Sequence, residues 1–150
     1  MSILRAALPP HRIQLGLRAA SLEEAIERIL ESLRDAPEVR DFPGLAKAVR
    51  QRNATVTGSP GREILVSHGR TECVDRLVLS AGRLEKDGRG AGLPRLVFVA
   101  GIPAAFSTEY LRAVGAIARA CSSPGGYEAQ ISAASAAEFL ALLEAAEHTL

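Results

Sequence analysis

The spacing of apolar residues along the chain predicts both strands and helices. Alternation of apolar with polar or small residues predicts half-buried strands, and one unbroken apolar run predicts a fully buried strand. The predicted strands are 12–17, 64–66, 74–84 and the fully buried 96–100. Turn-forming residues crowd two further stretches, which predicts a loop at 53–62 and an exposed connection at 85–92.

Apolar residues at intervals of three and four predict helices, and small polar residues mark where they begin. Ser21 with Glu24, and Ser135 with Glu138, have the spacing of a capping box. In that motif the serine hydroxyl accepts from the backbone and the carboxylate reaches back. The predicted helices run from Ser21 to near Asp35, from after Asp41 to near Arg52, from a Ser107 or Thr108 cap through Cys121, and onward from Ser135.

The order of these elements predicts the fold class. One strand, two helices, three strands and two helices do not alternate strictly. We therefore expect an α/β fold with a mixed β-sheet and helices packed on both faces. The length of 150 residues and the 47% apolar composition fit a single domain spanning 1–150 with a substantial core.

Composition excludes several classes of function. The 18 basic and 17 acidic residues give a formal charge of +1, which offers no whole-molecule field for binding nucleic acid. No apolar run approaches the roughly 20 residues of a membrane span, and 1–18 lacks a signal-peptide pattern. We therefore expect a cytoplasmic protein without membrane insertion. Cys73 and Cys121 have no metal-ligand or disulfide spacing, so neither a metal nor a cofactor is predicted.

His68 is the clearest candidate for chemistry, since it is a titratable side chain placed just past the end of a buried strand and flanked by Ser67 and Gly69. Considered alone, it fits an ordinary surface or capping histidine at a strand end better than a reactive one. The loop before it supplies hydroxyls such as Thr57, and Arg52 at its start has a guanidinium that can hold two phosphate oxygens. Taken singly, these two are also compatible with a turn hydroxyl and a solvated helix-end cation.

The stretch 52–70 resembles a known active-site segment. It combines Arg52 at a helix end, a loop rich in Ser, Thr and Gly, a short apolar strand, and His68 sixteen positions after the arginine. This arrangement is similar to the fructose/mannitol and nitrogen-type enzyme IIA domains of the bacterial phosphotransferase system. The similarity extends over nearly the whole chain and implies the enzyme IIA type-2 fold.

The resemblance also implies a phosphocarrier function. His68 would accept a phosphoryl group from a histidine phosphocarrier protein of the HPr type, then relay it to a IIB domain or hold it as a regulatory signal. A neutral imidazole has a lone pair for in-line attack, and Arg52 would neutralise charge on the transferring oxygens. Thr57, Ser67 and Tyr110 would donate hydroxyl hydrogen bonds, with Tyr110 standing where the family has a second histidine.

Some residues depart from the family pattern, and they favour a different function. The departures are Asn53, Gly58, Glu63, Ser67 and Tyr110. Glu63 argues against phosphoryl transfer, because a carboxylate near the site repels the charged product unless it points away or pairs with Arg62 or Arg70. Tyr110 also fits simple packing at a helix start. The alternative function is a degenerate IIA-like module that binds or regulates partners without being phosphorylated.

Overall fold

The computed structural model describes residues 2–51, 53–85 and 93–147. Within these ranges the helices are α1 (Ile3–Ala7), α2 (Leu22–Glu31), α3 (Phe42–Arg50), α4 (Ser107–Ser122), α5 (Gly126–Ser132) and α6 (Ala136–Glu147). The strands are β1 (Ile13–Leu17), β2 (Asn53–Thr57), β3 (Ile64–Arg70), β4 (Val78–Leu84) and β5 (Leu96–Ile102). Short 3₁₀ turns precede β1 and α4. Among the helices of these ranges, none has the length and apolar character to cross a membrane.

The five strands form one mixed sheet in the order β1-β4-β5-β3-β2. The pairs β1/β4 and β5/β3 are parallel, and the pairs β4/β5 and β3/β2 are antiparallel. All seven residues of the central strand β5 are buried, as expected from its unbroken apolar sequence. Strand β3 lies between this centre and the edge strand β2.

Helices cover both faces of the sheet, which confirms the predicted fold class. Face A carries α2 and α3, and face B carries α1, α4, α5 and α6. Successive residues of a strand point to opposite faces. The residues of β3 therefore divide between face A (Leu65, Ser67 and Gly69) and face B (Ile64, Val66, His68 and Arg70).

Face A is closely packed because small residues lie beneath its helices. A Cβ atom on Gly69 would lie 2.8 Å from the backbone of Ala48 in α3, and one on Gly82 would lie 2.6 Å from Ile29 in α2. The hydroxyl of Ser80 donates to the carbonyl oxygen of Ile29 at 3.0 Å. Glycine and serine in the strands thus allow α2 and α3 to approach the sheet.

Both predicted capping boxes are present. The Ser21 hydroxyl accepts from the backbone N–H of Glu24 at 3.1 Å, and the Glu24 carboxylate accepts from the N–H of Ala20 at 3.4 Å. Ser135 accepts from the N–H of Glu138 at 3.1 Å in the same way. These bonds satisfy free N–H groups and fix the first residues of α2 and α6.

The predicted loop 53–62 is wrong over its first half, which forms β2. Thr55, Val56 and Thr57 are β-branched and alternate between the faces, and they pair with β3. The turn itself is confined to the glycine- and proline-containing part, where Gly58 and Gly61 have φ angles of 103° and 82°. Such angles favour glycine, since it lacks a Cβ atom.

Other boundaries also differ from the predictions. The strand predicted at 74–84 begins at Val78, and Val74 forms only an isolated bridge. The predicted serine or threonine cap of α4 is wrong, because α4 continues from a 3₁₀ turn and Ser107 is already its first residue. Helix α2 ends at Glu31 and passes into turns.

Helices α1 and α5 were not predicted, since segments of 5 and 7 residues show little periodicity. Of the predicted connection 85–92, the part from 86 onward lies outside the described residues.

Candidate functional site

His68 lies within strand β3. The prediction that it follows the end of the strand is therefore wrong. Its backbone pairs with Ala100 of β5 on one side and with Asn53 of β2 on the other. Two strand ladders therefore hold the residue, and its half-buried side chain projects from face B. The predicted boundary was wrong because polar Ser67 interrupts the apolar run, although Ser67 is only 2% exposed.

The two ring nitrogens of His68 have different surroundings. Nδ1 is buried and forms no hydrogen bond with the described residues. The residue as a whole is half-buried, and Nε2 is the nitrogen that keeps access to the surface. Nε2 is therefore the atom of this ring that a partner molecule can reach.

Tyr110 faces the imidazole from the first turn of α4. The ring centroids of Tyr110 and His68 lie 5.6 Å apart with an interplanar angle of 44°, within the range of favourable ring pairs. Burial raises the pKa of the Tyr110 phenol, and the positive charge of Arg70 opposes this with a smaller effect. The phenol therefore stays protonated at neutral pH and can donate a hydrogen bond.

Arg70 follows His68 by two positions and lies on the same face of β3. Its Nη1 donates to the Ser107 hydroxyl at 2.8 Å, and that hydroxyl donates to the carbonyl oxygen of Ala104 at 3.2 Å. No carboxylate of the described residues forms an ion pair with it. Arg70 was not predicted as a site residue; its spacing from His68 is the signal that would have revealed it, once both residues are placed in one strand.

Ser67 does not join His68, contrary to the prediction that its hydroxyl binds the phosphoryl group. As the neighbour of His68 within a strand it points to face A, where it lines a groove of about 520 Å³ with residues of α2, α3 and β2. The other groove residues are Leu22, Glu23, Ile26, Glu27, Val49, Arg50 and Ala54. The prediction failed because it placed Ser67 beyond the strand, where alternation does not apply.

Thr57 and Arg52 were both predicted to bind the phosphoryl group, and the structure describes the position of Thr57. Thr57 shares face B but pairs with Ile64, four positions from His68, which is roughly 13 Å along a strand. Thr55 pairs with Val66 and is the nearer hydroxyl on that edge. Arg52 lies outside the described residues. The structure therefore brings Tyr110 to His68 and leaves Thr57 at a distance.

Glu63 lies at the opposite end of β3 from Arg70. It precedes the strand by one residue, which corresponds to roughly 16 Å from His68 along the chain. Burial is the main cause that raises the pKa of the Tyr127 phenol in α5, and the charge of Glu63 contributes to it. The neighbouring Arg62 pairs with Glu128 of α5 at 2.9 Å, so this end of β3 lies toward α5 and extended backbone separates Glu63 from His68.

The fold is that of enzyme IIA proteins. The chain resembles the nitrogen regulatory protein IIA-Ntr from Neisseria meningitidis, with a TM-score of 0.71 and 21% identity, covering 95% of this chain and 99% of that chain. It also resembles IIA mannitol from Escherichia coli, with a TM-score of 0.62 and 22% identity, covering 89% of this chain and 96% of that chain. A third similar structure is the mannitol-specific cryptic phosphotransferase enzyme IIA CmtB from Escherichia coli, with a TM-score of 0.65 and 16% identity, covering 97% and 99%.

The sequence itself establishes the family. The profile of the family described as phosphoenolpyruvate-dependent sugar phosphotransferase system, EIIA 2, matches residues 7–146. The chain therefore belongs to the EIIA 2 family, and the resemblance noted for 52–70 is confirmed at the level of the family. The comparison with curated proteins gave no match.

Proposed function

We propose that this chain is a cytoplasmic phosphohistidine carrier that accepts a phosphoryl group on Nε2 of His68 from a histidine phosphocarrier protein of the HPr type. Membership of the EIIA 2 family supports a phosphocarrier role in general. The observation that carries the specific proposal is the geometry at His68. Two strands hold its backbone, the centroid of the Tyr110 ring lies 5.6 Å from that of its own ring, and Nε2 keeps access to the surface.

The proposed step exchanges one P–N bond for another. The lone pair of Nε2 attacks phosphorus in line with the departing ring nitrogen of the donor phosphohistidine. The donor P–N bond breaks as the new bond forms, and the donor ring, which carries a proton on its other nitrogen, leaves with the bonding pair as a neutral imidazole. Nδ1 of His68 keeps its proton throughout. Because the two bonds are similar, the protein has mainly to align the groups and stabilise charge on the phosphoryl oxygens.

Tyr110 supplies a neutral donor in this arrangement. Its phenol stays protonated at neutral pH, since burial raises its pKa, and it lies against the ring that carries the phosphoryl group. A hydrogen bond from the phenol to a phosphoryl oxygen would take the part of the second histidine of the family. We assign Arg52 the role of a guanidinium that neutralises the transferring oxygens, on the basis of the resemblance alone.

The phosphoryl group on His68 is then relayed to a IIB domain or retained as a regulatory signal. The fold is shared with a nitrogen regulatory protein and with IIA mannitol. A regulatory output of the nitrogen type and a sugar-transport relay are therefore the two destinations to distinguish, and a purified IIB domain tests the relay directly.

The proposal is tested by incubating the protein with enzyme I, a histidine phosphocarrier protein and phosphoenolpyruvate, followed by intact mass analysis. We expect one phosphoryl group per chain, retained at alkaline pH and lost in mild acid, as a phosphohistidine requires. A protein that stays unmodified while an active enzyme IIA control is labelled contradicts the proposal.

A binding module that is never phosphorylated is the second candidate function. It is favoured by Tyr110, since this residue replaces a titratable histidine in the family pattern. If the wild type accepts no phosphate, the combined change Asn53→Glu and Tyr110→His restores two family residues at the site. Labelling of that variant alone would show a sound scaffold with lost chemistry, and would favour the binding module over the phosphocarrier.

A further inference from the structure

We infer that Arg70 is a second phosphate-binding cation of the site, in addition to Arg52, and that Ser107 is the residue that positions it; this inference rests on the proposed function. In the sequence alone, neither residue stands out as a site residue. Arg70 lies at the exposed end of a strand, and Ser107 lies at the start of a helix. Their connection across two elements becomes visible only in the fold.

The placement of Arg70 follows from strand geometry. Residues two positions apart in a strand lie about 6.6 Å apart on the same face, so the long Arg70 side chain can reach a group bonded to the His68 ring. The Ser107 hydroxyl that accepts from Arg70 lies three positions before Tyr110, so the guanidinium is held at the end of α4 whose Tyr110 ring faces His68. The positive charge of Arg70 lowers the pKa of the Tyr110 phenol against the larger effect of burial, which agrees with this placement. Arg70 and Tyr110 thus approach His68 from β3 and α4 respectively.

Ser107 fixes the orientation of the guanidinium. A guanidinium only donates hydrogen bonds, so the Ser107 oxygen must accept from Arg70 Nη1. The serine proton is directed to the carbonyl of Ala104, at 3.2 Å. Both hydrogen-bonding functions of the hydroxyl are thereby used. One of the five N–H groups of Arg70 is engaged, which leaves the others for an anion.

No acidic side chain in the described part of the chain neutralises Arg70. The carboxylate of Glu72, two positions further on, accepts instead from the backbone N–H of Ala104 at 2.8 Å. Arg28 on face A, by contrast, pairs with Glu24 at 3.0 Å, whereas the partner of Arg70 is a neutral hydroxyl. An arginine that is oriented by a serine and lacks a carboxylate partner is prepared to bind a dianionic phosphoryl group.

The test is a measurement of the rate of phosphoryl transfer from the phosphorylated phosphocarrier protein, by rapid quench and intact mass. Arg70→Gln is expected to slow labelling by roughly 10- to 150-fold, the range for a lost hydrogen bond to a charged group. Arg70→Lys is expected to recover only part of this loss, since lysine lacks the planar fork. The matched control Arg28→Gln removes the same charge from face A and is expected to react at the wild-type rate.

A double-mutant cycle tests the positioning role of Ser107. Ser107→Ala is expected to slow transfer in the wild-type background, Ser107→Thr to restore it, and Ser107→Ala to have no further effect in the Arg70→Gln background. A merely structural effect of Ser107 at the helix start would slow transfer equally in both backgrounds, and this result would overturn the positioning role. Thermal melts identify any variant that fails to fold.

The outcomes separate the two proposals. If the wild type is labelled on His68 and Arg70→Gln reacts at the same rate, the role of Arg70 is overturned while the phosphocarrier function stands. If the wild type is never labelled, both proposals fail. If labelling is slowed by Arg70→Gln but not by Arg28→Gln, the inference is supported.

Discussion

The two faces of strand β3 carry different kinds of residue within seven consecutive positions. On face B, His68 and Arg70 reach the surface and meet Tyr110 and Ser107 of α4. On face A, Gly69 lies so close to α3 that a Cβ atom would be 2.8 Å from the backbone of Ala48. One face thus holds groups that can react, and the other holds the small residues that let a helix pack.

This difference shows that neighbours in sequence are not neighbours in the site. Ser67 and His68 share a peptide bond, yet Ser67 lines the groove beside α2 and α3. Tyr110 is distant in sequence, yet its ring centroid is 5.6 Å from that of His68. Alternation along the strand separates the first pair, and the packing of α4 on face B joins the second.

A large effect on the rate of phosphoryl transfer is expected from Tyr110→Phe on face B. Removing the phenol oxygen while keeping the ring should slow phosphoryl transfer by roughly 10- to 150-fold, since a hydrogen bond to a charged group contributes about 1.5–3 kcal/mol. The melting temperature should hardly change because the ring contact remains. Rates of labelling by the phosphorylated phosphocarrier protein measure this.

Tyr110→His is the informative companion of that variant. It restores the family residue and is expected to match or exceed the wild-type rate. If neither substitution alters the rate, Tyr110 serves only for packing against His68, and its role as a donor is wrong.

The next effect concerns stability on face A and is expected from Gly69→Ala. The added methyl group meets the backbone of Ala48 and Val49 at 2.8 Å, so α3 must shift, at a cost of about 1–3 kcal/mol. The melting temperature should fall by roughly 2–12 °C. Thermal unfolding followed by circular dichroism measures the change.

Gly115→Ala in α4 is the matched control for that substitution. There the new Cβ atom meets only the flexible end of Arg119, at 3.2 Å, and alanine favours a helix by about 0.5–1 kcal/mol over glycine. The control is expected to be neutral or stabilising. A stable Gly69→Ala protein would show that face A is less closely packed than described.

The sequence predicted the mixed sheet, the covering of both faces and His68 as the candidate for chemistry. The strands and helices of this fold follow from apolar periodicity and from short capping patterns such as that of Ser21. Both kinds of pattern involve residues that are close together in the sequence. The face on which Ser67 lies and the separation of Thr57 from His68 depend on where β3 ends and how β2 pairs with it. Such pairing is set by tertiary contacts. The hydroxyl groups of 53–57 and the turn formers that follow favoured a loop, although the β-branched residues of this segment also fit a strand.

Arg70 is a candidate site residue that the local sequence pattern did not reveal. The role proposed for Arg70 requires both membership of β3 and the approach of Ser107 at 2.8 Å, and neither follows from local pattern. Glu63 was predicted to oppose function because it is close to His68 in sequence. In the fold it precedes the far end of the strand, so extended backbone separates the two residues.

A smaller effect distinguishes the two cysteines, one on each side of the sheet. Burial raises the pKa of the Cys121 thiol in α4 to about 11, so at pH 8 almost none of it is the reactive thiolate. Cys73, beside the start of α3, is partly exposed. A thiol reagent at pH 8 is therefore expected to label one cysteine in the folded protein and both in denaturant, as peptide mapping can establish.

The raised pKa of the Cys121 thiol also makes the stability of the fold depend on pH. The folded state holds the Cys121 proton more tightly than the unfolded state, so its contribution is present below the ordinary cysteine pKa and is lost as pH rises through about 11. Replacing Cys121 by Ala should reduce the fall of the melting temperature above pH 9. Rapid labelling of Cys121 in the folded protein at pH 8 would contradict this account.

The most direct test of the division between the two faces compares His68→Ala with Ser67→Ala in the phosphorylation assay. Intact mass after incubation with enzyme I, the phosphocarrier protein and phosphoenolpyruvate should show one phosphoryl group on the wild type and on Ser67→Ala, and none on His68→Ala. Thermal melts should show that both variants are folded. Labelling that persists in His68→Ala, or that is lost in a folded Ser67→Ala, would contradict the assignment of the chemistry to face B.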